Sequence, residues 1–327
     1  MGNRNDKKNR RSARRDALRR VPLRTQRRGP RRSVALHSLG ATRKWSLGVC
    51  CSWLAVLVVL ALVAPALRAA DQTAATPQGE AYEPDAGPHK VLTVGELILH
   101  DDKRGKDLPL KIYYPDAAGP FPVIVWSHGA GGSKDGYASL GQHWASHGYV
   151  TIHPSHDDSL AVRWKKGERV TLADTARSAL TEPDRWVNRP KDISFVLDSL
   201  AAIEERAPAL KGKMDTARIG VGGHSFGAYT TQVIGGATVD IPGQGKGLSF
   251  RDKRVRAVLM YSPQGIGQMG LTADSWKDFT LPAMMVTGTN DLSALGQGPK
   301  WRRAGFDSAP AGDKYWVLIQ GAPFHVQ

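Results

Sequence analysis

The ten residues GVGGHSFGAY at positions 220–229 decide how the rest of the chain is read. A strand-like run, ARIGV at 217–221, leads into Gly223-His224-Ser225-Phe226-Gly227, and a helix-like run follows. A Gly-x-Ser-x-Gly between a strand and a helix makes a sharp, strained turn with the serine at its apex. Side chains at the two flanking positions would clash with neighbouring backbone, and Gly223 and Gly227 remove those clashes. The turn lifts the Ser225 hydroxyl above the carboxyl edge of a sheet, and the first amides of the following helix point at the same spot. The segment therefore predicts a nucleophilic serine on an α/β scaffold.

Such a serine needs a base, a group that orients the base, and donors for the oxyanion. VIVWSHGAGG at 123–132 is an apolar strand running into a glycine-rich turn, which assigns the oxyanion hole to the backbone amides of Ala130 and Phe226. AMMVTGTND at 283–291 places Asp291 just past a strand end; Asp307 and Asp313 lie on a polar loop with no preceding strand. WVLIQGAPFH at 316–325 supplies His325 as the base after the last strand. His128 and His224 flank the oxyanion and nucleophile positions, and with His153, His156 and Gln264 they are the candidates to line the pocket. HPSHDDS at 153–159 gathers two histidines and two aspartates but has no third strong ligand group at metal spacing, so neither metal nor cofactor is expected. GIGQMG at 265–270 matches the dinucleotide pattern G-x-G-x-x-G. That fingerprint needs a helix opening at the glycines, whereas the following LTADSWKDFTLP is short, polar and closed by Pro282, so the segment reads as a loop beside the site.

Around these motifs the chain alternates strand-like and helix-like runs. Strands are expected at 91–99, 108–114, 123–127, 149–153, 218–222, 255–261, 283–287 and 315–319, and helices at 137–147, 184–205 and 226–234. In the long helix Ile193, Val196, Leu197, Leu200 and Ile203 recur at three- and four-residue spacing, which gives it one apolar face. Residues 237–254, rich in Gly and charge, read as a surface loop or lid. The expectation is an α/β domain over residues 90–327, with a mainly parallel eight-stranded sheet flanked by helices.

The formal charge of +15 suggests a nucleic-acid partner until it is located along the chain. Residues 1–44 hold sixteen Lys/Arg and two Asp, which leaves 29 basic and 28 acidic residues in the remainder. No nucleic-acid surface is therefore expected on the folded part. The basic run precedes 23 uncharged residues at 45–67, which as a helix would extend roughly 35 Å against a hydrocarbon core of about 30 Å. By the positive-inside rule the basic segment stays in the cytoplasm and the remainder is exported. Residues 45–70 read either as a signal peptide, with Ala64-Pro-Ala66 and Ala69-Ala70 as small residues for cleavage, or as a retained signal anchor making membrane contact. The catalytic domain is then periplasmic, extracellular or held outside the cytoplasmic membrane. The only cysteines, Cys50 and Cys51, lie in that apolar run, so the exported part has neither disulfide nor thiol nucleophile. Residues 71–89 are small, polar and Pro-rich, a linker by composition.

SHGAGG from Ser127, GHSFG from Gly223, YSPQG from Tyr261, TGTND from Thr287 and GAPFH from Gly321 together resemble the α/β-hydrolase superfamily. Within it the chain is similar to the bacterial dienelactone-hydrolase-like group, which also resembles platelet-activating-factor acetylhydrolases and cutinase-like polyesterases. The resemblance implies a cofactor-independent serine hydrolase of carboxylic esters, small, lipid-like or polymeric, working through Ser225, His325 and Asp291 and an acyl-enzyme. Dienelactone hydrolases themselves use a cysteine where this chain has Ser225, so their activity is not implied. Relatives continue past the histidine into a helix that packs on the sheet, whereas this sequence ends at Gln327. Two other readings share these motifs: an acyltransferase of the same fold, and a non-catalytic, membrane-anchored binding protein. Trp126, Tyr137, Trp144, Trp164 and Trp186 are available to an apolar acyl pocket or to the core.

Overall fold

The computed structural model describes residues 85–323. Residues 1–84, with the basic and apolar segments, and residues 324–327, with His325, lie outside them. Eight strands build one sheet in the order β1-β2-β4-β3-β5-β8-β9-β10. They are β1 Val91–Asp101, β2 Lys106–Pro115, β3 Phe121–Ser127, β4 Val150–Pro154, β5 Met214–His224, β8 Val255–Tyr261, β9 Ala283–Asn290 and β10 Lys314–Pro323. β2 runs antiparallel to both its neighbours, and every pair from β4 to β10 is parallel. Parallel strands need crossovers, and the crossover helices cover the sheet faces. That is why Val123, Val125, Val150, Ile152, Ile219 and Val221 are all buried.

The helices are α1 Ala138–Ser146, α2 Leu160–Lys165, α3 Leu172–Thr181, α4 Pro183–Asp198, α5 Leu200–Arg206, α6 Phe226–Gly235, α7 Pro299–Arg302 and α8 Ala304–Ser308. The single helix expected at 184–205 is two, because Ser199 leaves helical geometry (φ −97°, ψ 4°) between α4 and α5. The apolar spacing survives the break, and Ile193, Val196, Leu197, Leu200 and Ile203 are all buried. The short helices α2, α3, α7 and α8 were not legible as periodic runs. α3 is instead fixed at its start by a capping box between Thr171 and Asp174.

Residues 237–254 are not wholly a loop: Val239–Ile241 and Gly245–Leu248 form a small antiparallel hairpin, β6 and β7. Alternation drives it, since Val239 and Ile241 point inward and are buried while Asp240 accepts from the Gly247 amide at 2.8 Å. The end of the expected linker is docked. The Gly87 amide donates to Ser146 Oγ at 2.8 Å and the His89 amide to the Ser146 carbonyl at 3.0 Å. At the other edge of the sheet, Met284 of β9 and Tyr315, Leu318 and Ile319 of β10 are exposed among the described residues.

Candidate active site

Ser225 sits between β5 and α6 with φ 55° and ψ −115°, a backbone conformation that a residue with a side chain rarely adopts. The strain follows from close packing. A methyl group on Gly227 would stand 2.6 Å from the Ser127 carbonyl carbon and 2.8 Å from the His128 oxygen. One on Gly223 would stand 2.8 Å from the Ser127 oxygen. The Ser225 turn is therefore pressed directly against the end of β3, where the glycine-rich loop begins. All ten residues of α6 are buried, and the hydroxyls of Thr230 and Thr231 donate to the carbonyls four residues back at 2.9 Å. A wholly buried helix holds its first turn, and the amides that face Ser225, in one place.

Asp291 is fully buried at the end of β9 and connected on every side. Its Oδ2 accepts from Ser262 Oγ and Thr287 Oγ1, both at 2.6 Å, and its Oδ1 pairs with Arg302 Nη2 at 2.8 Å. Arg302, equally buried, also donates to the carbonyls of Ser262 and Pro263 at 3.0 and 3.1 Å. The end of β8 ties Asp291 to Ser225: the Ser225 amide donates to the Tyr261 carbonyl at 2.9 Å, and the next residue, Ser262, bonds Asp291. β10 runs beside this turn, with Pro323 in register with Asn290 and the Gly321 amide bonded to Thr289 Oγ1 at 2.8 Å. The chain thus leaves the described region one residue pair from Asp291, two positions before His325.

A cavity of about 540 Å³ opens over Ser225. Its walls carry Gly129, Ala130, Tyr137, His224 and Phe226 near the serine, then Leu160, Leu172, Ala179 and Leu180 from the α2–α3 side and Met269 and Leu292 opposite. Polar groups are few, chiefly Gln264, Gln268, Ser293 and Arg302. Of the sequence-predicted residues, Ser225, Ala130, Phe226, His224 and Gln264 meet on this cavity. The 265–270 segment opens no helix; Met269, Gly267 and Gly270 adopt left-handed backbone, and Gln268 reaches Gln297 at 3.0 Å to close one wall. Among the aromatic candidates only Tyr137 reaches the cavity, whereas Trp126 and Trp186 are core and Trp164 is exposed. Tyr137 Oη bonds His224 Nδ1 at 2.6 Å, and burial pushes its phenol up to about 12, so it stays protonated.

His128, His153 and His156 do not line the cavity; each is buried. For His128 and His156 the reason is a polar network among residues distant in the chain, whereas His153 packs edge-on against Tyr113. Arg189 of α4 forks onto Asp158 through Nε and Nη2 at 3.0 and 2.7 Å. Its remaining donors go to the His128 carbonyl at 2.5 Å, the Gly129 carbonyl at 3.1 Å and Ser127 Oγ at 3.3 Å. Ser127 Oγ also meets His156 Nε2 at 2.9 Å, and His156 Nδ1 meets Asp192 at 2.8 Å. Asp192 is held in turn by Arg104 at 2.6 Å and Lys106 at 3.0 Å. Burial would raise the Asp192 carboxyl, but the hydrogen bond from His156, then the charges of Lys106 and Arg104, hold it down at about 2. Asp158 is likewise held well below the usual carboxylate range, where Arg189 outweighs burial. Burial first, then the Arg189 charge, keep His128 and His156 neutral. His153 is pushed down to about 3 by burial, and neither of its ring nitrogens has a hydrogen-bond partner among the described residues. His156 and Asp158 of the HPSHDDS segment serve this network; no group of three His, Cys, Asp or Glu is placed to hold a metal among the described residues.

A signal for the network was present in α4. Arg189 and Asp192 fall three or four residues from Trp186, Ile193 and Val196, so two charges stand on the apolar face of an amphipathic helix. Buried charges on such a stripe must find partners.

This strand order, with a serine at the β5–α6 elbow and a carboxylate after β9, is the α/β-hydrolase fold. The chain has the fold of the α/β hydrolases, and its similarities are to ester hydrolases of that fold. Residues 80–235 match the family described as chlorophyllase. Cutinase est2 of Thermobifida alba is 25% identical over 183 residues, covering 56% of this chain and 46% of that protein. Cutinase cut1 of Thermobifida fusca is 23% identical over 270 residues, 82% of this chain and 69% of that protein. Platelet-activating factor acetylhydrolase of Cavia porcellus is 28% identical over 133 residues, 34% and 30% of the two chains. The chain spans about half the length of the first of these. The crystal structure of a candidate dienelactone hydrolase from Klebsiella pneumoniae is similar at a TM-score of 0.49 and 13% identity, over 72% of this chain and 87% of that one.

Proposed function

We propose that the protein hydrolyses carboxylic esters through a covalent acyl-serine. The observation that carries the reading is the left-handed Ser225 at the floor of an apolar cavity, in a turn that tolerates no side chain on either flanking glycine. His325 removes the Ser225 proton as the oxygen attacks the ester carbonyl, and the carbonyl π electrons move onto oxygen beside the Ala130 and Phe226 amides. Collapse of that oxyanion expels the alkoxide, which takes the proton from His325 and leaves as the alcohol. Water, deprotonated by His325, then attacks the acyl-serine; the acid is released and Ser225 regains its proton. Asp291 orients His325 and stabilises its cation, a role supported by the pairing of β10 with β9 beside it. The leucine-lined wall suits an acyl chain, and the cutinase and acetylhydrolase relatives act, by their names, on ester substrates. The apolar run at 45–67 behind a basic segment supports export of this domain.

The test is turnover of p-nitrophenyl esters from acetate to palmitate by the full chain and by Ser225→Ala, with fluorophosphonate labelling of both. Serine-dependent turnover is expected, with a loss of at least about 10³-fold in the variant, because triad members act as a unit. Equal turnover by both proteins would sink the proposal.

A further inference from the structure

Arg189 is out of the cavity and fully buried, yet it touches both halves of the assigned oxyanion hole. The first half is the Ala130 amide. That N–H belongs to the same peptide plane as the Gly129 carbonyl, and in a trans peptide the two point in opposite directions. Whatever fixes the Gly129 oxygen therefore aims the Ala130 hydrogen. Three donors converge on that oxygen: His128 Nδ1 at 2.6 Å, Arg189 Nη2 at 3.1 Å and the Gly132 amide at 3.1 Å. The His128 donor is itself set by Arg189, whose Nη1 holds the His128 carbonyl at 2.5 Å. His128 Nε2 accepts from the His156 amide at 3.0 Å, which leaves Nδ1 as the protonated nitrogen.

The second half is the Phe226 amide. The Phe226 ring lies over the Arg189 guanidinium, 4.2 Å from its carbon to the ring centroid, so the residue that supplies this amide rests on the same cation. Asp158 completes the clamp: it takes the arginine fork bidentately and also accepts from the Gly131 amide at 3.2 Å, on the far side of Ala130. A cation bonded to a peptide carbonyl also polarises that peptide and makes its N–H a stronger donor.

We infer that Arg189, clamped by Asp158, is a positioning residue of the oxyanion hole, aligning the Ala130 peptide through its carbonyl and bracing Phe226 through its ring. The inference rests on the serine-hydrolase reading. It also asks for more than stability, because oxyanion donors act on the transition state and so on kcat.

The experiment compares the wild type with Arg189→Met, Arg189→Lys and Lys106→Met on a p-nitrophenyl oxoester and the matching thionoester, with melting temperatures for all. Sulfur accepts hydrogen bonds poorly, so a misaligned hole harms the oxoester more than the thionoester. Arg189→Met is expected to lower kcat on the oxoester about 10²-fold with KM changed less than about threefold, and to shrink the oxoester-to-thionoester ratio about tenfold. Arg189→Lys keeps charge but not the fork, and is expected to restore only part of the ratio while supplying a folded protein if the methionine variant is unstable. Lys106→Met loosens the same network at its Asp192 end, and is expected to lower the melting temperature without moving the ratio. Parallel losses on both esters in the Arg189 variants, or an unchanged kcat, would overturn the inference while leaving the serine reading intact. Absence of Ser225-dependent turnover in the wild type would overturn both.

Discussion

Replacing Gly227 by alanine tests whether the Ser225 turn and the glycine-rich loop are one rigid unit. The new methyl would stand 2.6 Å from the Ser127 carbonyl carbon and 2.8 Å from the His128 oxygen, and closer still to the Ser127 oxygen. These are backbone atoms, so no side-chain rotation relieves the overlap. Reaching ordinary contact needs a separation of about 1 Å between α6 and the end of β3, against the buried bonds that Arg189 makes to that same loop. Overpacking in a core costs about 1–3 kcal/mol, and contact with unyielding backbone puts this substitution at or above the upper figure. For a domain of this size that lowers the melting temperature by roughly 10 °C. Activity should suffer more, because a misplacement of about 1 Å at the reacting groups costs on the order of 10²-fold. The assay is thermal unfolding together with ester turnover per fluorophosphonate-reactive site. Gly298→Ala, where the added methyl would find only the Leu292 side chain at 3.7 Å, serves as the control. A Gly227→Ala protein with wild-type melting temperature and turnover would refute the close packing on which the site is argued.

Other substitutions probe the buried charges. Arg302→Met strips Asp291 of its cation inside the protein and should cost about 3–5 kcal/mol, measured by urea unfolding; an effect below about 1 kcal/mol would mean the ion pair is not isolated from water. Acidification should unfold the protein early. His128, His153 and His156 have folded pKa values below the ordinary 6.5, so their contribution is complete above about pH 6.5 and is lost as pH falls toward the folded values, about 3 for His153. Each histidine adds a slope of up to about 1.4 kcal/mol per pH unit in that window. His153→Leu should remove about a third of it, and a stability profile flat from pH 7 to pH 5 would contradict their burial as neutral rings.

Local chemistry explains what could be read from the sequence and what could not. The elbow was legible because sterics alone demand glycines at 223 and 227, and the strands because apolar runs end in turns. The positions of Asp291 and the Ala130 loop just past strand ends were legible from the apolar runs before them. Arg302, Thr287 and Ser262 were not, since they come together only when β8, β9 and α7 meet, up to 40 residues apart along the chain. Which way a histidine near a strand end faces was not legible either: His128 and His156 turn to the core where Arg189 and Asp192 of α4 bond them, and His153 turns to the core against Tyr113. The short helices escaped because four to ten residues give too little periodicity to read.

The left-handed backbone at Ser225 carries a consequence for anyone seeking a hardier version of this molecule. A side chain at that φ costs on the order of 1–3 kcal/mol, and glycine would relieve it. Ser225→Gly should therefore melt higher than the parent while turning over nothing. A library ranked only by heat resistance would drift toward discarding the one oxygen atom on which the proposed chemistry depends, so selection for robustness has to be coupled to a readout of turnover.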